Sequence, residues 1–171
     1  MKKFINIVLI ILAYSTVNLT LGGQSREPGV HEHLGAKIPL DLAFKDANGK
    51  DIKLSQIFTK STVLAFVYYN CPGLCDPLMT EVANVINKID LEPGLDYDVV
   101  SISMDDRENS LDAKKKKQVF TSLITRYFPD TAWRFLTGDS VTIKKATDAA
   151  GFYFKREGSG FIQNEVRFGD K

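Results

Sequence analysis

The chain has 171 residues, of which 25% are charged, with 22 Lys and Arg set against 21 Asp and Glu. A formal net charge of +1 excludes the strongly basic surface of a general nucleic-acid binder, so no nucleic acid is expected among the partners. Once an N-terminal leader is set aside, the length suits one compact domain large enough to bury a core of its own.

Lys2 and Lys3 precede an apolar stretch from Phe4 to Val17, and Thr20-Leu21-Gly22-Gly23 then offers small residues to a signal peptidase. Residues 1–22 therefore read as a signal peptide. They also read as a membrane anchor, because residues 4–21 are just long enough to cross a bilayer at a tilt. Residues 23–36, with the polar run Gln24-Ser25-Arg26-Glu27-Pro28, read as a linker, and 37–171 as a single domain. The expected location is outside the cytoplasm, periplasmic or anchored to the outer face of the inner membrane.

Leu42 to Asp46 and Asp51 to Leu54 flank a tight turn at Asn48-Gly49, which predicts a β-hairpin. Residues 62–69 form a nearly continuous apolar run, the pattern of a strand buried on both faces. From Leu78 onward Met79, Val82, Val85, Ile86 and Ile89 share one helical stripe, which Glu92-Pro93-Gly94 ends. Tyr97 to Met104 gives a second buried strand, so the unit is β-α-β with a parallel pair. A further helix is expected from Leu111 to Tyr127 with Phe120, Leu123, Ile124 and Tyr127 facing inward. A short strand at Trp133 to Leu136 follows, then a helix begun by Asp139 or Ser140 and closed at Gly151, and a strand at Phe152 to Lys155. Glu157-Gly158-Ser159-Gly160 supplies a turn.

Cys71 and Cys75 are the only cysteines and lie between the first buried strand and its helix, in Asn70-Cys71-Pro72-Gly73-Leu74-Cys75-Asp76-Pro77. Such a junction eases ionisation of a thiol, because first-turn amides stabilise the thiolate. Pro77 fits the first helical position with Asp76 as N-cap, which would leave both thiols on the loop. On consecutive helical turns the pair would still share one face. Three chemistries remain open for the pair: a soft metal site suited to Cu(I) or zinc, thiol–disulfide exchange, and an inert disulfide. A bridge closing so short a loop removes little entropy from the unfolded chain, which leaves structural stapling with little to recommend it.

The strand ending Tyr68-Tyr69-Asn70-Cys71-Pro72-Gly73-Leu74-Cys75, the run Met104-Asp105-Asp106-Arg107-Glu108 after Val99 to Ser103, and Trp133-Arg134-Phe135-Leu136-Thr137-Gly138-Asp139 occur here together. In this combination, and with Gly29 to Gly35 ahead of a hairpin, residues 28–160 resemble the SCO/SenC family of exported or membrane-tethered proteins that deliver copper to cytochrome c oxidase. The resemblance implies an α/β, thioredoxin-like fold, a central mixed sheet flanked by helices with an N-terminal β-hairpin. It implies that Cys71 and Cys75 ligate one copper and that their dithiol can also reduce or accept a disulfide. The implied partner is the copper-accepting subunit of a respiratory oxidase or another copper chaperone. The family's third copper ligand, a histidine after the turn that matches Glu157 to Gly160, has no counterpart in Phe161-Ile162-Gln163-Asn164-Glu165. Gln163 stands near its place, and an amide is a poor copper ligand. The closing strands and helix of the fold are also missing, so the expectation is a C-terminally incomplete member whose pair holds Cu(I) rather than Cu(II). A thiol–disulfide oxidoreductase and an inactive remnant are the competing readings.

Elsewhere, His31 and His33 would face the same way on an extended segment and form a second candidate ligand pair, against the plainer reading of a solvated loop. Met79 and Met104 read as core packing rather than thioether ligands. Asp105, Asp106 and Arg107 read as a salt-linked loop beside the cysteines, and Lys114 to Lys117 as a solvated helix face rather than a docking patch.

Overall fold

The computed structural model describes residues 28–71, 73–157 and 160–162. Among these residues, nine strands and three α-helices follow one another in an α/β order: β1 (Gly29–Val30), β2 (Ala43–Lys45), β3 (Asp51–Lys53), a 3-10 turn (Leu54–Gln56), β4 (Ser61–Val67), α1 (Cys75–Lys88), β5 (Tyr97–Ser103), α2 (Ser110–Thr121), β6 (Trp133–Leu136), α3 (Ser140–Ala149), β7 (Phe152–Tyr153), β8 (Lys155–Glu157) and β9 (Gly160–Ile162). The central sheet has the order β4-β5-β6. Both of its pairings are parallel, with Val67 opposite Ser103 and Ile102 opposite Leu136. Antiparallel pairs surround it: β2 with β3, β1 with β7, and β8 with β9.

Alternation along β5 and β6 builds a layer on each face of this sheet. Val67, Val99, Trp133 and Phe135 pack on one face against Met79, Ala83 and Ile86 of α1 and Ala113 and Phe120 of α2. Phe66, Val100, Ile102 and Leu136 pack on the other against Leu42 and Phe44 of the hairpin, Leu54 and Ile57 of the 3-10 turn, and Ile143 and Ala146 of α3. Trp133 also donates its indole N–H to Ser101 Oγ at 2.9 Å, which satisfies the one polar atom of a fully buried side chain.

The predicted hairpin turns at Gly49, whose φ of +79° is the left-handed conformation that glycine enters without strain. Asp139 caps α3 by accepting the amides of Val141 and Thr142, each at 2.9 Å, and Gly151 closes the helix at φ +70°. Gly151 is also the residue against which β1 is seated: its carbonyl accepts the His31 amide at 2.7 Å, and a Cβ there would meet the His31 carbonyl oxygen at 1.8 Å. Thus Gly29–Val30, within the stretch expected to be linker, is a paired strand.

Four local expectations are corrected. The first strand is not buried on both faces along its length, since Val63 is 50% exposed and only Phe66 and Val67 are buried. Among the described residues β4 pairs with β5 alone, so its outer edge lacks the neighbour that would cover it. The helix expected to reach Tyr127 stops at Thr121, and Tyr127 is 82% exposed. Thr121 Oγ1 and Ser122 Oγ turn back onto the carbonyls of Lys117 and Val119, both at 2.7 Å, the local bonding by which Ser and Thr compete with a helix. Val85, placed on the inner stripe of α1, is exposed, while Met79, Ala83 and Ile86 form its buried face. The last strand is not one run: Phe152–Tyr153 pairs with β1, and Lys155–Glu157 pairs with Gly160–Ile162.

Ile102 is fully buried in the central strand, so Ile102→Ala should cost about 2–5 kcal/mol of unfolding free energy. Denaturant unfolding followed by the emission of Trp133, the only tryptophan, measures it. A loss below about 1 kcal/mol would contradict the two-sided core.

Candidate functional site

The parallel register brings the carboxyl ends of β4 and β5 together, and two loops leave from there. The first, Tyr68 to Leu74, leads into α1; the second, Met104 to Asn109, leads into α2. Cys71 lies on the first loop, half-buried, and Cys75 is the buried first residue of α1. Both are free thiols. The expected N-cap at Asp76 is therefore corrected: Leu74 is the cap residue, and Pro77 is the third helical residue. The third position tolerates proline as the first does, because amides of the opening turn have no intrahelical acceptor.

No side chain caps this helix from Leu74. Cys71 lies just ahead of the helix. Gly73 donates its amide to Cys71 Sγ at 3.4 Å. Burial pushes the Cys71 thiol up, but the amides of Cys75, Gly73 and Leu74 and the Cys75 thiol outweigh it and leave Cys71 below the ordinary thiol range. Cys75 is opposite in character. Burial, joined by the neighbouring Cys71 sulfur, pushes it up to about 12 although it accepts the Tyr68 amide at 3.4 Å. The two sulfurs thus meet in one small site as an ionisable thiol and a thiol that holds its proton.

The loops are tied to each other by Glu108, which is only 7% exposed. Its Oε2 accepts the Tyr69 amide at 2.9 Å and the Ser103 hydroxyl at 2.5 Å; its Oε1 accepts the Asn70 amide at 2.7 Å and Asn70 Nδ2 at 3.0 Å. Burial raises the Glu108 carboxyl above its usual range despite those donors. Tyr69 is pinned at its other end, where the phenol donates toward the carbonyls of Ser101 at 2.9 Å and Leu136 at 3.0 Å. Asp105 and Arg107 form the expected salt-linked loop, with Arg107 Nε at 2.9 Å and Nη2 at 2.6 Å from the carboxylate. Sequence reasoning quoted Glu108 within a motif and gave it no role. The signal available was a carboxylate just past the end of a buried strand, on the loop facing the cysteines.

Other candidates lie elsewhere. His31 and His33 stack edge-on against Tyr153, with ring centroids at 5.4 and 6.3 Å. Met79 and Met104 are core residues, and Met79 Sδ accepts the Ser101 hydroxyl at 3.6 Å. In the lysine run Lys116 pairs with Asp76 at 2.6 Å and Lys117 with Asp130 at 2.7 Å, while Lys114 and Lys115 are exposed. Gln163 and the segment 4–21 are outside the described residues. Among the described residues no group of three or more His, Cys, Asp or Glu side chains is placed to hold a metal ion. Among them, too, no helix is long and apolar enough to cross a membrane.

With this geometry the comparison with known proteins is decisive for the family. The SCO1/SenC family model matches residues 32–165. The chain belongs to the SCO1/SenC family. Among solved structures, a proposed electron transfer protein of Aquifex aeolicus VF5 is 27% identical, with 75% of this chain and 73% of that one covered and a TM-score of 0.65. Arabidopsis thaliana ScoI, solved with copper bound, is 24% identical over 74% of this chain and 75% of that one, TM-score 0.57. BsSco, described as a member of the Sco family of cytochrome c oxidase assembly proteins with a disulfide switch, is 20% identical over 73% and 67% of the two chains, TM-score 0.53. No curated protein matches the sequence. The thioredoxin-like α/β architecture of this SCO1/SenC chain is therefore the one expected.

The unequal thiols give a pH signature. Cys71, lowered on folding, adds stability above its unfolded value that fades as pH falls through the folded one; Cys75, raised on folding, adds stability below its unfolded value that is lost as pH climbs toward about 12. In single-cysteine variants at pH 8, iodoacetamide should modify Cys71 about tenfold faster than Cys75. Cys75→Ser should also flatten the alkaline loss of stability. Equal alkylation rates would contradict this assignment.

Proposed function

We propose that this chain is an exported copper chaperone of cytochrome c oxidase assembly, in which Cys71 and Cys75 hold Cu(I) and release it to a copper-accepting oxidase subunit or to another copper chaperone. The observation that carries the reading is the pair of free thiols at one strand-to-helix junction of a SCO1/SenC domain. Copper bound to Arabidopsis thaliana ScoI and the assembly role stated for the family of BsSco support it. Two thiolates form a soft donor set suited to Cu(I), and copper here is cargo. The amides around the Cys71 sulfur ease its ionisation on metal binding. Cys75 gives up its proton on binding, so uptake releases protons and strengthens with pH. Transfer proceeds by sulfur exchange, in which a partner thiolate replaces one of the two cysteines at a time. Leu74, between the ligands and 84% exposed, leaves the site open to such a partner. Export by residues 1–22, with 4–21 as a tether to the outer face of the inner membrane, belongs to the same proposal.

Reduced protein equilibrated against a chromophoric Cu(I) chelator should retain about one copper per chain. Retention no greater than that of the Cys71→Ser, Cys75→Ser double variant would overturn the chaperone reading.

A second reading is favoured by one observation, the inequality of the two thiols. In a thiol–disulfide reductase the Cys71 thiolate attacks a partner disulfide, forming a mixed disulfide and releasing one partner thiolate. Cys75 then loses its proton and attacks the Cys71 sulfur, which forms the Cys71–Cys75 bond and releases the second partner thiolate. Insulin reduction with dithiothreitol as electron source tests it: turnover lost in Cys71→Ser is the expected result, and turnover equal to dithiothreitol alone counts against it.

A further inference from the structure

We propose that Glu108 is the positioning residue for the Cys71 sulfur: by holding the backbone of Tyr69 and Asn70, its buried carboxylate keeps Cys71 over the amide of Gly73. The bonds are unusually directed for a side chain so far away in sequence. Both oxygens are used, and their backbone partners are the amides of the two residues immediately before Cys71, at 2.9 and 2.7 Å. The Asn70 side chain adds a third bond from the same residue at 3.0 Å. On its far side the carboxylate is held by Ser103 Oγ at 2.5 Å, and that hydroxyl also accepts the Asp105 amide at 3.0 Å, so Glu108 stands on the end of β5. Glu108 is tied to the same loop by its own backbone, whose amide donates to the Asp105 carbonyl at 3.0 Å, so its clamp on the peptide that carries Cys71 does not depend on Ser103.

The Tyr69 ring is fixed independently, through its hydroxyl on the carbonyls of Ser101 and Leu136. Release of Glu108 would thus leave the Asn70–Cys71 peptide resting on the 3.2 Å bond from the Cys71 amide to the Tyr68 carbonyl, while the aromatic core stays seated. Cys71 is one peptide bond from Asn70, and its sulfur accepts the Gly73 amide at 3.4 Å. A small shift of that peptide takes the sulfur off its donors. Groups that orient a metal ligand or nucleophile without touching the reacting atom typically change affinity by about 10–100-fold when removed.

Glu108→Gln is the informative change. Its carbonyl oxygen can still accept from Asn70, but its NH2 then faces the Tyr69 amide, donor against donor. Ser103→Ala is the control, because it removes a buried bond to the same carboxylate and leaves both loop bonds in place. The first readout is metal-free: the rate at which iodoacetamide alkylates Cys71 at pH 7 in the reduced full chain carrying Cys75→Ser, with folding monitored by Trp133 emission. Glu108→Gln is expected to slow the reaction about tenfold, and Ser103→Ala to stay within about twofold. An unchanged rate in Glu108→Gln, or equal slowing in both variants, would overturn the inference. If Glu108→Gln does not fold, Glu108→Asp keeps the charge but shortens the side chain by one methylene and draws the carboxylate back from the two loop amides; slowing of about twofold or more supports the clamp and an unchanged rate rejects it. The second readout, which rests on the copper reading, is Cu(I) affinity of the chain with both cysteines, expected to weaken at least about tenfold in Glu108→Gln. A wild-type chain that holds no Cu(I) but whose alkylation slows in Glu108→Gln would refute the copper reading and keep the clamp.

Discussion

The two-sided burial of β5 is the constraint on which the rest of the structure depends. Val99 faces α1 and α2, Val100 and Ile102 face the hairpin and α3, and none of them can turn without emptying one layer. Complete burial of each such side chain is worth about 1.5–3 kcal/mol, so the register of β5 against β4 and β6 is strongly held. Parallel register then decides the function, because it delivers the ends of β4 and β5 to the same place. The cysteine loop and the Glu108 loop face each other for that reason.

Within the site, chemical inequality follows from a difference of one helical turn. Cys71 lies before the helix, where amides lacking an intrahelical partner point at its sulfur; Cys75 lies inside the first turn, buried against the core. A thiolate that forms readily beside a thiol that resists ionisation suits stepwise chemistry, whether the second step is closure on a metal or closure of a disulfide. The proposed copper delivery and the alternative disulfide reduction would draw on the same asymmetry, with the exposed Leu74 at the rim of the site.

Much of this was legible from the sequence where one physical pattern dominated. The β-rich run at Tyr97 to Met104, the Trp133 to Leu136 strand and the Asp139 cap with Gly151 as its terminator each have a local cause, and each is found in place. The family resemblance carried on the motifs around Cys71, Asp105 and Trp133 is likewise met by the SCO1/SenC match. Errors arose where two local rules were degenerate. Pro77 satisfies either the first or the third helical position, and only the seating of Cys75 in the core decides between them. Phe120 to Tyr127 keeps a helical period past Thr121, yet the segment after it bonds to α1 instead, with Thr125 donating its amide to Asn87 Oδ1 at 2.8 Å. Glu108 was missed for a different reason. Its partners are 38 and 39 residues away, and no periodicity in a single sequence registers a pairing made by the ends of two parallel strands.

The histidines sharpen the copper question. His31 and His33 pack edge-on against Tyr153 beside β7, and among the described residues no His, Asp or Glu joins Cys71 and Cys75 in a group of three, so the proposed cargo site is built on the two sulfurs. X-ray absorption at the copper edge of the reduced, Cu(I)-loaded chain tests this most directly. The expected spectrum shows copper bound by the two sulfurs of Cys71 and Cys75 with no imidazole scattering. A spectrum with an imidazole ligand, or copper that persists after both cysteines are replaced, would contradict it.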